Sequence, residues 1–309
     1  MVSAISVDLD ENEMKAAQQA VAVLAAVQAF LPRLKGGEWV TQSPTLRADD
    51  QRTAPFQMTH WVDGTMANAF EHLYAFHRTL GLPEELTLPR GPGYALIRGA
   101  IESAVAVWWV LEPDARKERV HRRLRIWEYS RQQESKAINS TGLAPDRDLQ
   151  HRWDENAKQF SSYIGHSRIK AMPTFTDLLK SFDRANASRS ESSWRLCSGF
   201  AHGIEWAGAL LHELTDLRSI GGELNEAVSI ARWAVIGPCV DTAGLILLAA
   251  LDRIDQLGRI DGRPTSRHGS VLRNHIREAA KIAANSEEGG PLAVPVLIQG
   301  EEESLLLQR

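Results

Sequence analysis

Apolar residues along this chain recur at three- and four-residue intervals, and alternation with a period of two is almost absent. That is the pattern of a protein built from helices. Between Glu11 and Leu34, the residues Met14, Ala17, Val21, Leu24, Ala25 and Leu31 mark one face, which Pro32 and Gly36-Gly37 bring to an end. The polar run TQSPTLRADDQRTA at 41–54 carries no such pattern and reads as a linker. A second helix is predicted from about Met58 to Leu80, closed by Gly81 and Pro83, and Gly91-Pro92-Gly93 opens a third that runs from Tyr94 to Glu112 and stops at Pro113. Asp114 is placed to cap a helix reaching about Ser140. Shorter helices are predicted at 147–165, 174–187 and 190–214. Beyond Gly221-Gly222 a long apolar helix covers 223–257, with a kink expected at Pro238, and one more covers 262–285. The final stretch, SEEGGPLAVPVLIQGEEESLLLQR, mixes glycine, proline and acids and reads as a flexible tail.

These elements predict an all-α fold, a multi-helix bundle. Its expected parts are an N-terminal helix (1–40), a linker (41–54), a helical core domain (55–258), and a C-terminal helix with its tail (259–309).

Composition narrows the function classes. The 309 residues are 43% hydrophobic and 24% charged, and a net charge of −4 supplies no global attraction to nucleic acid or anionic lipid. Any polyanion site must then be a local patch. Cys197 and Cys239 are the only cysteines, stand far apart in sequence and form no CxxC, which suggests neither a zinc site nor a disulfide framework. The acidic N-terminus lacks the basic-then-apolar order of a signal peptide. The apolar windows 94–111 and 234–251 are interrupted by Arg98 and Glu102 and by Pro238 and Asp241, so they read as buried helices rather than membrane spans. The expectation is a cytoplasmic protein without a membrane partner. No phosphate loop ending in GK[ST], no HExxH and no GxSxG occurs, Leu96 replaces the third glycine of a dinucleotide fingerprint, and a single ExxH (Glu118 to His121) falls short of a di-iron set. No cofactor and no metal ligand is expected.

The segment Trp194-Arg195-Leu196-Cys197-Ser198-Gly199-Phe200-Ala201-His202-Gly203 carries the candidate chemistry. At about 100° per residue, Arg195, Ser198 and His202 share one helical stripe. Arginine binds phosphate or carboxylate with a planar fork, and histidine moves protons near neutral pH. A second constellation is Arg98 and Glu102, one turn apart on a nearly wholly apolar helix. They form either a structural ion pair or a polar pocket in which Glu102 orients His202 or Arg195. A third is the basic run from Arg116 to Arg131. Its buried stripe of Val120, Leu124 and Trp127 turns most of its arginines outward, among them Arg116, Arg119, Arg122 and Arg123. That face is either simply solvated or a phosphate-binding surface. Trp108, Trp109, Trp194 and Trp206 flank these polar positions, as core residues or as walls on which bases stack.

An arginine, six residues and a histidine on a late helix of an all-helical domain resembles the HEPN superfamily, small helical bundles that include many metal-independent RNases of defence and toxin systems. Arg195 and His202 carry the resemblance, and Leu196 departs from the polar residue that often follows the arginine. The resemblance implies His202 as general acid or base for attack of an RNA 2′-OH on its own 3′-phosphate, Arg195 as stabiliser of phosphate charge, Ser198 as a positioning group, and a homodimer. The basic helix would then guide RNA inward. Two other readings stand beside it. One is a non-catalytic interaction protein whose acidic, leucine-rich tail docks a protein partner; the other is a binder of small anions in a tryptophan-lined pocket.

Overall fold

The computed structural model describes residues 10–34, 40, 43–80, 92–142, 147–165, 169–221, 224–260, 263–264 and 266–284. The expected tail, 286–309, lies outside them. Among the described residues eleven α-helices carry the fold: α1 (Glu11–Phe30), α2 (Pro44–Thr53), α3 (Met58–Thr79), α4 (Pro92–Leu111), α5 (Arg116–Thr141), α6 (Arg147–Ile164), α7 (Phe175–Asn186), α8 (Ser190–Ala201), α9 (Glu205–Leu211), α10 (Trp233–Leu257) and α11 (His268–Ala284). The all-α, multi-helix expectation holds for this body. Two short antiparallel ribbons join it: β1 (His212–Gly221) with β2 (Leu224–Ala231), and β3 (Arg259–Ile260) with β4 (Arg263–Pro264).

Helix α4 sits at the centre because its composition leaves it no other place. A helix apolar on every face must bury every face. It packs against α3 and α10 and also touches α5, α7 and α8, with Tyr94, Ile97, Ile101, Val105, Val107 and Leu111 sealed from solvent. Helix α1 lies against α10, α11 and α3. Consequently one continuous core runs from Ala17 near the start of the chain to Leu272 near its end. Asp10 starts α1 by accepting the Glu13 N–H, the geometry of a side-chain N-cap. Three helical stretches, Glu11–Leu34, Pro92–Leu111 and Trp233–Leu257, have the length and hydropathy to cross a membrane, and 61%, 67% and 56% of them is buried inside the fold.

Three expectations are corrected. The predicted linker contains α2, which Ser43 caps by accepting the Leu46 N–H, with Pro44 in the first turn. Its buried face includes Asp49 and Thr53 as well as Leu46, and a buried face made partly of paired polar groups escapes an apolar periodicity. The predicted helices through 214 and from 223 give way to the β1–β2 ribbon, registered His212 to Ala231 and Gly221 to Leu224. Gly221, read in sequence as part of a separator of helices, ends β1 and pairs with Leu224. Asp114 does not cap α5; Ala115 stands at that position, and Asp114 accepts from Arg253 Nη2 at 2.7 Å.

The basic helix α5 also departs from expectation. Arg119 is only 2% exposed and places Nε and Nη2 on the buried carboxylate of Asp49 at 2.8 and 3.2 Å, with Nη1 on the carbonyls of Pro113 and Asp114. Arg116 meets the same carboxylate at 3.3 Å. Arg122 donates to the Trp109 carbonyl and to Glu112, and Arg125 donates twice to the Ala171 carbonyl. Arg123 is buried over the Trp61 ring, and burial lowers its guanidinium to about 10. Trp109 lies under both Arg122 and Arg125. Arg119 and Arg123 thus turn inward against expectation, Arg122 and Arg125 tie α5 to neighbouring carbonyls, and Arg116 stays exposed as expected. Aromatic rings and fixed carbonyls suit the weakly hydrated guanidinium in that role.

Candidate functional site

Where α4 meets α8, the two polar side chains of α4 find their partners. Arg98 and Glu102 are one turn apart, and Arg98 Nε donates to Glu102 Oε1 at 2.7 Å. The same carboxylate oxygen accepts from the indole Nε1 of Trp194 on α8 at 2.9 Å. Arg98 Nη1 then meets Nε2 of His202 at 2.8 Å. The guanidinium carbon lies 6.0 Å from the Trp194 ring centroid. Three side chains, those of Glu102, Trp194 and His202, thus gather around the Arg98 guanidinium.

Local folding explains why His202 is available there. Asp183 of α7 receives the N–H groups of Ser190 and Glu191 and fixes where α8 begins. At the other end His202 is the C-cap, its N–H donating to the Ser198 carbonyl, and Gly203 follows with φ +66°. That left-handed conformation favours glycine, and it turns the chain so that Ile204 N–H bonds back to the Gly199 carbonyl. The imidazole therefore projects from the open end of α8 and is exposed, whereas the Arg98 and Glu102 side chains are 25% and 20% exposed. The site grades from a fixed, part-buried carboxylate to a solvent-reachable ring.

The electrostatics follow from donor counting. A guanidinium can only donate, so in this contact Nε2 of His202 is the acceptor. Glu102 holds one edge of Arg98 and Trp194 holds Glu102. Nη1 is the end aimed at the surface.

Arg195 takes a different part from the one its spacing suggests. It is 55% exposed, and its Nε and Nη2 lie on Glu191 Oε1 at 2.8 and 2.7 Å, one turn back on α8. The arginine that meets His202 is Arg98, from 104 residues earlier in the chain. Of the expected set, Arg98, Glu102, Trp194 and His202 come together. Ser198 is half-buried below them, and its carbonyl accepts the His202 N–H. Arg116, Arg119, Arg122 and Arg123 belong to the packing of α5. Sequence reasoning named both Arg98 and His202 but had no signal to join them, because a contact between two helices leaves no spacing to read.

Two further features were hidden in the sequence. Cys197 of α8 and Cys239 of α10 are both fully buried, and the neighbouring Cys239 sulfur, together with burial, pushes the Cys197 thiol well up. Trp206 of α9 rests on Gly199, where an added Cβ would stand 2.9 Å from the indole Cζ2. Among the described residues, no group of three or more histidine, cysteine, aspartate and glutamate side chains is placed to hold a metal ion. No known family, no curated protein and no solved structure matches this chain, so its reading rests on these residues alone.

Proposed function

We propose that Arg98 and His202 form a phosphate-ester site and that the chain binds and cleaves RNA without a metal ion, with Arg98 in the part that the HEPN resemblance gave to Arg195. The single observation carrying this reading is the 2.8 Å contact between Arg98 Nη1 and His202 Nε2 at a solvent-reachable helix end. A cation and a proton acceptor then stand side by side, which is the pairing that phosphodiester transfer requires.

RNA is the substrate class that such a minimal site suits. Its 2′-hydroxyl is a nucleophile already positioned beside the phosphate, so no metal-bound water is needed. An entering phosphate draws Nη1 of Arg98 from Nε2 onto a non-bridging oxygen, and this exchange frees Nε2 as a base. The 2′-oxygen attacks phosphorus while its proton passes to Nε2. The 5′-oxygen leaves with its electron pair and takes that proton back, which yields a 2′,3′-cyclic phosphate and a 5′-hydroxyl. Glu102 keeps Arg98 from turning away during the exchange, and Trp194 keeps Glu102 in place.

Cleavage of single-stranded RNA in EDTA tests the reading. The wild type is expected to give cyclic-phosphate ends, His202→Ala and Arg98→Ala to abolish them, and Arg195→Ala to cut normally. Undiminished cutting by His202→Ala contradicts the assignment and leaves Arg98–Glu102 as a structural ion pair.

A further inference from the structure

Trp206 is out of place for an indole that serves only packing. It stands second in α9 and is 46% exposed, with Ile204 at 45% and Leu210 at 56% on the same short segment. Its six-membered ring is nonetheless seated. Gly199 offers bare backbone, and a Cβ there would meet Cζ2 at 2.9 Å and Cη2 at 3.2 Å. Gly199 lies three residues before His202 on α8, and the turn at Gly203 brings α9 back beside the last turn of that helix. One edge of the indole is therefore fixed against the turn of α8 that ends at His202, and nearly half of the residue is open to solvent. Trp194, by contrast, has its N–H committed to Glu102 and its ring beside Arg98.

A fixed, half-open indole seated on the last turn of α8, the turn that leads to His202, matches a nucleotide: the ring stacks a base while Arg98 and His202 take the adjoining phosphate. An apolar protein segment laid on α9 leaves that pair unmatched, so the observations favour the nucleotide. Stacking on Trp206 also requires a base free of its own helix, because duplex RNA keeps its bases stacked and paired. We propose that Trp206 is the platform for the unpaired base next to the phosphate held at Arg98 and His202, which makes single-stranded RNA the substrate class. This rests on the phosphate-ester reading above and adds specificity to it.

The test uses the full chain and dye-labelled 2′-O-methyl oligonucleotides, which cannot be cleaved, in three forms: single-stranded, abasic single-stranded and duplex. Fluorescence anisotropy is expected to show the wild type binding the single strand about tenfold or more tightly than the other two, the margin that one base on an aromatic ring supplies. Trp206→Ala should lose that margin while keeping the affinity for the abasic strand, and Trp206→Phe should keep most of the margin. A Trp206→Ala protein that still prefers the single strand as the wild type does overturns the platform and leaves the phosphate site standing. So does a variant whose self-association changes while its preference for bases does not. If the wild type binds none of the three, or Arg98→Ala binds all three undiminished, the phosphate reading itself falls.

Discussion

Nε2 of His202 is occupied in the resting structure: Nη1 of Arg98 donates to it across 2.8 Å, from a helix 104 residues earlier in the chain. The accepting nitrogen of the imidazole is thereby masked. A ligand able to take that donor, a phosphate oxygen above all, would unmask the base as it binds. Glu102 and Trp194 set how far the guanidinium can travel.

Replacing Glu102 with glutamine keeps the size of the side chain and removes the charge that orients Arg98. Cleavage should then show a lower kcat, by roughly ten- to hundredfold, because a loosened guanidinium no longer meets the phosphate in register. KM should stay level or fall, since a negative charge next to the bound phosphate is gone. Steady-state kinetics on a short oligonucleotide separate the two. A rise in KM at constant kcat would show that Glu102 acts on binding and not on positioning.

Asp241 on α10 makes a second, separable prediction. Burial raises its carboxyl to about 6, against about 3.9 for an unfolded aspartate. Its contribution to stability is therefore fully present below about pH 4, is lost as pH rises through about 6, and stays lost above. Asp241→Asn should gain on the wild type by roughly 3 kcal/mol between pH 4 and 7 and hold that gain at pH 8. Urea unfolding of both proteins across this range measures it, and parallel pH curves would show that the carboxyl titrates normally in the fold.

Asp49 and Arg119 are both sealed, at 0% and 2% exposure, and each is the other's charge partner. Burial pushes the Asp49 carboxyl up, while Arg119 and Arg116 pull it down. Asp49→Ala strands Arg119 in the interior and should cost about 3–5 kcal/mol in urea unfolding. Pairing it with Arg119→Met should recover much of the loss, because two apolar groups leave no charge unpaired. A single variant as stable as the wild type would show that solvent reaches Arg119.

Two glycines in helices should respond in opposite senses to alanine. At Gly237 of α10 a Cβ would stand 2.9 Å from the Ala16 carbonyl oxygen of α1, so Gly237→Ala forces the two helices apart and should destabilise by about 1–3 kcal/mol. Gly64 of α3 has nothing within 4 Å of an added Cβ, and Gly64→Ala should stabilise by about 0.5–1 kcal/mol through helix propensity alone. Thermal melts followed by circular dichroism decide both.

How much of this was legible in the sequence depends on the kind of interaction. Helices α3, α4, α7 and α10 declare themselves because apolar residues repeat at helical spacing and glycine or proline bounds them. Helix α2 did not, since Asp49 and Thr53 lie on its buried face and a paired polar residue looks like a surface one. The arginines of α5 misled for the same reason: the carboxylate of Asp49, the ring of Trp61 and the carbonyl of Ala171 that receive them lie on other segments. The site shows the limit most sharply. His202, Arg98, Glu102 and Trp194 could each be picked out as unusual, yet spacing along α8 offered Arg195, and only the crossing of α4 and α8 places Arg98 on the imidazole.

Histidine-selective NMR tests that central contact most directly. The His202 resonance, assigned by its loss in His202→Ala, should report an Nε2 engaged by the Arg98 guanidinium. Uridine 3′-phosphate should shift it, since the phosphate draws Nη1 of Arg98 off the ring. Arg98→Ala should change the resting signal and blunt the response, whereas Arg195→Ala should leave both intact. A His202 ring indifferent to the nucleotide, or one disturbed by Arg195→Ala and untouched by Arg98→Ala, would contradict the account.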